Sequence, residues 1–434
     1  MPRLIVLSAD ALVSEDLALL FECPNAKRFM GGSSIIRKVR SVYPTITYPC
    51  HATMITGVYP NRHGVIRNDI YMPGAKNRPW LWFHDAIKWR HDLFRAAKAK
   101  GLTTAAVFWP CTGNHPCVDY LIDEYWTQGE GDTIPNAFER SGSKGRVLDY
   151  VKKYAPLLEG HERKHPYADD FIIRCACDIV TELKPDLLML HPANVDGYRH
   201  QYGLFHKNVD AGIIETDYYL GELIKASQLA GTFAETNFVL TSDHGQMDVT
   251  RISNPNVLLA REGLLRVDES GAIVDWDAVC VSGGMSACVY LKDPDDAALY
   301  GRVHALLNKY KEDGVFGIGE VFTADEINEK EHLAESFSFI LETDNYTAFG
   351  EDAAGPIAGS RYDEHDYRKG AATHGYLPGK GPQPTMAAFG PDIKPNVTIE
   401  HGRLIDQAPT FAKLLGVKLP DTDGRAIDEL LASP

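Results

Sequence analysis

Cysteine is scarce in this chain of 434 residues, which has eight cysteines and no C-x-x-C pair. This usage excludes a small scaffold stapled by disulfides and a paired-cysteine zinc or redox motif. No apolar stretch approaches the ~20 residues that a membrane-spanning helix needs. The N-terminal sequence MPRLIVLSADAL lacks the pattern of a secretory signal, because Asp10 follows its short apolar run at once. We therefore predict a cytoplasmic protein with reduced thiols and no membrane partner.

Positive charge is also in short supply. The chain has 44 Lys and Arg against 59 Asp and Glu, a formal net charge of −15 with neutral His. Binding to a nucleic-acid polymer needs a basic footprint, so we exclude that class of partner. A small phosphorylated substrate stays possible, because bound metal ions can supply positive charge locally. The sequence does not indicate an oligomeric state.

Apolar runs alternate with helical patterns in a βαβ rhythm, which predicts an α/β fold. We expect a central, mostly parallel sheet with helices on both faces. The predicted strands are Leu4–Leu7, Ser34–Val42, Thr103–Phe108, Asp186–Leu190, Asn237–Leu240 and Met386–Phe389. The predicted helices are Thr47–Gly57, Leu93–Lys100, Phe171–Leu183, Ile213–Ala230, Leu404–Leu415 and Ala426–Leu431. The charged stretch Glu159–Asp170 is predicted to be a solvated loop.

The rhythm changes after Asp248. A strand–helix–strand pattern over Met285–Leu291, Ala297–Tyr310 and Gly317–Thr323 lies in a polar, glycine-rich region. We predict that residues 262–369 form a small inserted α+β lobe, and that residues 1–261 and 370–434 form the core.

Carboxylates and imidazoles follow the buried strands, where open parallel sheets bind ligands. Three Asp and three His make a suitable donor set for two borderline metals such as zinc. Taken singly, each has an ordinary explanation as a turn, cap, surface-pair or loop residue. Their joint occurrence after apolar segments favours a metal site. The set is Asp10, Asp196, His200, Asp243, His244 and His374.

Thr47 lies at the start of a predicted helix, where free backbone N–H groups and the helix dipole favour negative charge. A threonine hydroxyl is a poor nucleophile in water, but a divalent metal can activate it near neutral pH. The alternative is that Thr47 only caps the helix, and capping would not exclude catalysis.

Five motifs occur in one order along nearly the whole chain. They are SADAL around Asp10, PTITYPCHATMITGVYPNRHGVIRN over residues 44–68, DGYRHQYG from Asp196, SDHGQM around Asp243 and THGY around His374. In this order they resemble the nucleotide pyrophosphatase/phosphodiesterase family of the alkaline phosphatase superfamily. The C-terminal DGRAIDELL resembles the ending common to the superfamily. The resemblance implies an alkaline-phosphatase-like fold and a metal-dependent hydrolase of phosphodiester or pyrophosphate bonds.

The resemblance also implies roles for individual residues. Thr47 corresponds to the nucleophile that forms a phosphothreonine. Asn68 corresponds to a donor to a phosphoryl oxygen, although by itself it would be a turn residue. One zinc is implied on Asp196, His200 and His374, and a second on Asp10, Asp243, His244 and Thr47. Manganese or iron could occupy the same donors.

The resemblance is weaker around the rest of the substrate. Tyr48 could form one wall of an aromatic slot, and His191 stands where the family pattern has a Tyr, so we name Tyr48, Asn68 and His191 as candidate substrate-binding residues. Sulfatases of the superfamily carry a Cys or Ser in the pattern C/S-x-P-S-R, whereas Cys50 is followed by His-Ala-Thr, so a sulfatase is excluded. A neutral Asn68 in place of the arginine of alkaline phosphatases favours diesters over monoesters. Alternatives are a phosphonate hydrolase such as phosphonoacetate hydrolase, a phosphomonoesterase and, remotely, an inert metal-binding scaffold.

Overall fold

A computed structural model describes residues 3–75, 78–359 and 366–432. The strands are β1 (Arg3–Ser8), β2 (Ser34–Arg40), β3 (Thr104–Val107), β4 (Tyr120–Ile122), β5 (Leu187–Leu190), β6 (Thr236–Thr241), β7 (Met247–Asp248), β8 (Arg251–Ser253), β9 (Leu265–Val267), β10 (Ile273–Trp276), β11 (Ala278–Ser282), β12 (Ser286–Leu291), β13 (Ile318–Thr323), β14 (Phe339–Thr343), β15 (Thr347–Phe349), β16 (Ala358–Gly359), β17 (Ala372–Thr373), β18 (Met386–Phe389) and β19 (Thr398–Arg403).

The α-helices are α1 (Leu17–Leu20), α2 (Pro24–Phe29), α3 (Thr47–Thr56), α4 (Pro60–His63), α5 (Leu93–Ala99), α6 (Ile134–Arg140), α7 (Gly145–Tyr154), α8 (Tyr167–Asp178), α9 (Asn194–Tyr202), α10 (Lys207–Ala230), α11 (Pro255–Arg261), α12 (Ala297–Asp313), α13 (Ala324–Glu331) and α14 (Gln407–Leu414). A single π-helical turn, Ile179–Leu183, extends α8. Short 3-10 turns occur at Ser14–Asp16, His84–Ala86, Ala155–Leu157, Phe233–Glu235, Tyr367–Lys369 and Leu404–Asp406.

The main sheet has eight strands in the order β19-β2-β18-β6-β1-β5-β3-β4. Its pairs are parallel except that β18 runs antiparallel to both of its neighbours. Side chains that alternate along β1 enter different cores: Ile5 and Leu7 pack in one, Leu4 and Val6 in the other. Helices α8 and α10 cover the first face, and α3, α5 and α14 cover the second. The predicted α/β class with helices on both faces is confirmed.

A second sheet, antiparallel and of order β11-β12-β14-β13, has its own core with α12 and α13. It lies within the region predicted as an inserted lobe. The boundaries at residues 262 and 369 stay a prediction. Within the described ranges, no helix is both long and apolar enough to cross a lipid bilayer.

The predicted strands are present with ends shifted by one or two residues. One predicted helix is wrong: the segment Ala426–Leu431 forms a turn, and Leu431 makes a β-bridge with Ile393. Its apolar residues Ile427, Leu430 and Leu431 are buried in the core. Their spacing in the sequence therefore reflects burial of a turn and not a helical conformation. The predicted loop Glu159–Asp170 is also partly wrong, because α8 begins inside it at Tyr167.

Helix α9 is fixed to the loop after β1 by a fully buried ion pair. The Arg199 guanidinium contacts both oxygens of Asp16 at 2.7 Å and donates to the carbonyl of Ala11 at 2.7 Å. Burial raises the pKa of Asp16 in spite of this partner. Because Arg199 lies between Asp196 and His200 in the helix, the pair sets where those side chains lie.

We predict that Arg199→Met lowers the free energy of unfolding by about 3–5 kcal/mol, because it leaves the buried Asp16 without its charged partner. Urea unfolding measures this change. Arg146→Met, which removes an exposed arginine paired with Glu182, is the control and should unfold as the wild type does. A loss below about 1 kcal/mol for Arg199→Met would contradict the role given to this pair.

Candidate functional site

Neighbouring parallel strands bring the predicted site residues to one edge of the sheet. Strands β6, β1 and β5 are adjacent and parallel, so their carboxyl ends lie side by side. Asp10 follows β1, Asp243 and His244 follow β6, and α9 begins four residues after β5. His374 comes directly after β17, which pairs with β7 beyond His244. The sheet topology therefore gathers residues that are up to 364 positions apart in the chain.

One group of donors consists of Asp10, Asp243 and His244, whose ligand atoms lie within 4.8 Å of one another. His244 Nε2 is 3.2 Å from Asp243 Oδ2 and 3.5 Å from Asp10 Oδ1. Both of these carboxylate oxygens are buried and accept no hydrogen bond from the described residues. Burial, followed by the charges of Asp196 and Asp243, raises the pKa of Asp10 well above its usual value. Buried oxygens in this state fit a cation.

A second group consists of Asp196, His244 and His374, again within 4.8 Å. His200, which was predicted here, lies beside it with Nε2 3.1 Å from Asp196 Oδ2. His200 Nδ1 donates to the carbonyl of Ala372 at 2.8 Å, so Nε2, beside Asp196, is the nitrogen that could bind a metal. Burial and the neighbouring His244 lower the pKa of His374 well below its usual value, which keeps its imidazole neutral and able to bind metal. All six predicted donors are therefore brought together.

Thr47 is the first residue of α3 and lies next to the first group. Its Oγ1 is 3.2 Å from His244 Nε2, and the residue is 8 % exposed. Ile46, not Thr47, is the N-cap residue, so the capping explanation does not account for Thr47. Thr47 lies at the helix start and lines a cavity together with the candidate donors Asp10, Asp196, His200 and His374.

Asn68 lies beside the same helix start. Its Oδ1 accepts a hydrogen bond from the backbone N–H of Tyr48 at 3.0 Å. With the oxygen held this way, the N–H₂ end of the amide is left to donate, and Asn68 lines the cavity together with Thr47. The arrangement suits a donor to an oxygen of a group bound at Thr47.

His51 and His191 lie beneath the donors. His191 Nε2 is 3.0 Å from Asp10 Oδ2, so this residue contacts the donor Asp10 as well as the cavity. Burial and the adjacent His191 lower the pKa of His51 to about 3. The neutral His51 donates from Nδ1 to the Thr47 carbonyl at 2.8 Å, and its Nε2 accepts from Ser8 Oγ at 2.9 Å. Both nitrogens of His51 are engaged, so it orients the site and has no lone pair for a metal.

The site opens into a cavity of about 710 Å³. Tyr48, predicted as an aromatic wall, is fully buried behind it, with its ring 5.5 Å from Trp80 in an edge-on arrangement. Trp80 and Tyr367 supply aromatic surface instead. The Tyr48 hydroxyl donates to Glu124 at 3.1 Å, and burial raises the pKa of Glu124 to about 7.

Sequence reasoning missed Trp80, Glu124, Arg163 and Tyr367. Glu124 follows β4 by two residues, so the rule that polar residues at strand ends form sites could have found it. Arg163 lies in the segment predicted as a solvated loop, which in fact lines the cavity. Trp80 and Tyr367 lie in connections without a periodic pattern, and no sequence signal places them.

The antiparallel sheet contributes a buried residue that holds two parts of the site. Glu342 on β14 accepts from the Tyr43 hydroxyl at 2.9 Å and from the Leu377 N–H at 3.1 Å, and it pairs with Lys380 at 3.1 Å. Tyr43 leads into the segment that carries Thr47, and Leu377 follows His374 closely. Glu342 therefore ties the hydroxyl and one metal donor to the same rigid sheet.

Comparison with known proteins agrees with this architecture. The fold and the paired donor groups define an α/β protein of the alkaline-phosphatase-like class. Residues 4–377 match the family described as type I phosphodiesterase/nucleotide pyrophosphatase, and the chain belongs to that family.

The curated relatives are distant. Bis(5'-adenosyl)-triphosphatase ENPP4 of Bos taurus is 22 % identical over 261 residues, which are 58 % of this chain and 49 % of the relative. Venom phosphodiesterase 2 of Crotalus adamanteus is 24 % identical over 239 residues, 52 % of this chain and 24 % of the relative. The chain thus spans about half the length of the first relative and about a quarter of the length of the second.

Solved structures of ectonucleotide pyrophosphatase/phosphodiesterase 5 share the fold. The human protein has a TM-score of 0.68 at 17 % identity and covers 99 % of this chain and 100 % of its own. An inactive form of the murine protein in complex with AMP has a TM-score of 0.66 at 17 % identity, with 100 % of each chain covered.

We predict that divalent metal stabilises this protein, because one buried oxygen of Asp10 and one of Asp243 accept no hydrogen bond from the described residues. A ligand at a hundredfold excess over its Kd adds about 2.7 kcal/mol, so zinc should raise the melting midpoint and chelation should lower it. Asp10→Asn should lose part of the shift while melting no lower than wild type without metal, because it removes a buried charge. Asp268→Asn, at an exposed turn, is the control. Equal midpoints with zinc and with chelator would contradict the prediction.

Proposed function

We propose that the protein is a di-zinc hydrolase that cleaves phosphodiester or pyrophosphate bonds through a phosphothreonine on Thr47. The observation that carries the proposal is the position of Thr47 Oγ1, 3.2 Å from His244 Nε2, because His244 belongs to both donor groups. The proposed donors are Asp196, His200 and His374 for one ion, and Asp10, Asp243, His244 and Thr47 for the other.

The residues present fit two zinc ions by their chemistry. Carboxylate oxygens and neutral imidazoles are ordinary zinc ligands, and manganese or iron could use the same atoms. When bound, such ions supply Lewis-acid activation of a hydroxyl and neutralise charge on phosphoryl oxygens. The carbonyl of Ala372 orients the ring of His200, and His191 contacts Asp10, which is the kind of support that metal ligands receive in proteins.

The chain's own groups would then carry out two displacements. Thr47 Oγ1 loses its proton to water and attacks phosphorus in line, and the bond from phosphorus to the departing oxygen breaks, so that this oxygen leaves with the bonding electron pair. Asn68 donates its N–H₂ to a non-bridging phosphoryl oxygen, and the N-terminus of α3 favours the negative charge of that group. Water hydrolyses the phosphothreonine and restores Thr47.

Diesters and anhydrides are the preferred substrates in this proposal. A neutral amide at Asn68, in place of a guanidinium, gives less stabilisation to a dianionic monoester. The murine relative bound to AMP makes a nucleotide one candidate. Phosphomonoesterase activity is a minor alternative.

A phosphonate hydrolase such as phosphonoacetate hydrolase is the second candidate, and it would need cations to bind the carboxylate of its substrate. The two lysines that flank His374 in the sequence are engaged elsewhere. Lys380 pairs with Glu342 at 3.1 Å and donates to the Thr343 carbonyl. Lys369 lies 3.8 Å from Asp352.

A cytoplasmic location also stays a proposal, and the free state of all eight cysteines is compatible with it.

Thr47→Ala should abolish turnover of an aryl phosphodiester by zinc-loaded protein, by at least about 10³-fold in kcat. Thr47→Ser keeps a hydroxyl and should retain measurable turnover. Metal analysis of both variants checks that the ions are still bound. Full activity of Thr47→Ala would overturn the proposed nucleophile, and an inactive wild type would favour the inert-scaffold alternative.

Asn68→Asp should lower kcat/KM for the same diester by about 10²-fold or more, because the N–H₂ donor is lost. Its remaining oxygen can still accept from Tyr48 N–H, so the start of α3 should keep its stability. Asn68→Ala, which loses both interactions, should also lower the melting midpoint, since a lost cap costs about 1 kcal/mol. Unchanged kinetics in both variants would mean that Asn68 is a turn residue without a role in catalysis.

A further inference from the structure

A short charged segment lines the same cavity as Thr47 and has no part in the proposed chemistry. We call residues 159–166 the strap. It supplies Arg163, Lys164 and His165 to the cavity lining. In a chain with a net charge of −15, adjacent cations at the mouth of a phosphate-binding cavity require an explanation.

The strap is held firmly on both sides of these cations. On one side, the Glu162 carboxylate accepts from the Thr127 N–H at 3.0 Å and from its hydroxyl at 2.8 Å. On the other, His165 Nδ1 contacts the buried Asp169 at 2.6 Å. His165 also packs on Gly197 of α9 so closely that a Cβ there would lie 2.2 Å from the ring. The strap is therefore fixed to the helix that carries Asp196.

Arg163 has the geometry of a binding group. It adopts a left-handed backbone with φ of 59°, which is uncommon outside glycine and costs energy. Its guanidinium lies 4.4 Å from the centre of the Trp80 ring, a stacking contact that leaves the N–H edge free. Among the residues that the structure describes, neither Arg163 nor Lys164 forms an ion pair.

The carboxyl group of Glu124 lines the same cavity as Arg163 and interacts with its charge, but forms no ion pair within the described part of the chain. One of its oxygens is taken up by the Tyr48 hydroxyl. Burial raises its pKa to about 7 although Arg163 and His165 favour its charged form. At neutral pH it therefore cancels only part of the positive charge of Arg163 and Lys164.

We propose that Arg163 and Lys164 bind a second anionic group of the substrate, a phosphate or a carboxylate, in addition to the phosphoryl group at Thr47. This inference rests on the proposed function and narrows it. It favours substrates in which two anionic groups are close together, such as a phosphoanhydride or a phosphate ester with a nearby carboxylate. It disfavours phosphodiesters whose other half is cationic.

Binding measurements test the proposal without turnover if every protein compared carries Thr47→Ala, because pyrophosphate and phosphonoacetate are candidate substrates. Calorimetry on zinc-loaded protein would compare inorganic phosphate with pyrophosphate, which adds a phosphate, and with phosphonoacetate, which adds a carboxylate. We expect at least one of the larger anions to bind about tenfold more tightly than phosphate, and which one does so identifies the preferred group. In Arg163→Gln/Lys164→Gln, that advantage should disappear while phosphate affinity stays the same. Metal analysis before and after titration checks that no ion is extracted.

A kinetic comparison adds a matched substrate pair: bis(4-nitrophenyl) phosphate and 4-carboxyphenyl 4-nitrophenyl phosphate. The double variant should raise KM for the carboxylated diester about tenfold and change the parent diester less than about twofold. Rising salt should weaken the same preference in the wild type. Lys27→Gln/Arg28→Gln removes an equal charge from exposed positions on α2 and should behave as the wild type.

Three outcomes would overturn the proposal: no preference for the larger anions in the wild type, an unchanged preference in the double variant, or an equal loss for both diesters. The last result would mean that the strap only supports the fold. If the wild type cleaves neither diester, the proposed function fails, and the binding comparison still decides the role of the strap.

Discussion

The structure depends on the burial of like charges at one edge of the main sheet. Asp10 and Asp243 are buried beside Asp196, and burial together with the charges of the other two carboxylates raises the pKa of Asp10. Neutral imidazoles alone cannot compensate three negative charges. Divalent cations can, and they would turn an unfavourable cluster into a site with a strong field beside a single hydroxyl.

The rest of the molecule holds this cluster in place. Adjacent parallel strands deliver Asp10 and Asp243, the buried pair of Arg199 and Asp16 fixes α9, and Glu342 joins the second sheet to the segments around Thr47 and His374. These supports come from different elements, so the geometry does not rely on a single loop. A fixed arrangement matters because catalysis of phosphoryl transfer is mostly positioning and electrostatics.

Much of the core fold was predictable from the sequence because buried parallel strands such as Leu187–Leu190 are short, continuous apolar runs. The donors were predictable for a related reason, since they follow those runs directly. Predictions failed where tertiary packing decides the outcome. The apolar spacing in Ala426–Leu431 is satisfied by a buried turn. The charged strap lines a cavity that only the folded chain creates, and Tyr48 is displaced from that cavity by Trp80, which is 32 positions away in the sequence.

Anomalous X-ray scattering from crystals of the zinc-loaded protein tests the central claim most directly. The account predicts two peaks about 3.5–4 Å apart, one between Asp10, Asp243, His244 and the Thr47 hydroxyl, and the other between Asp196, His200 and His374. Zinc absent from these side chains, or bound only at a distance from Thr47, would contradict it.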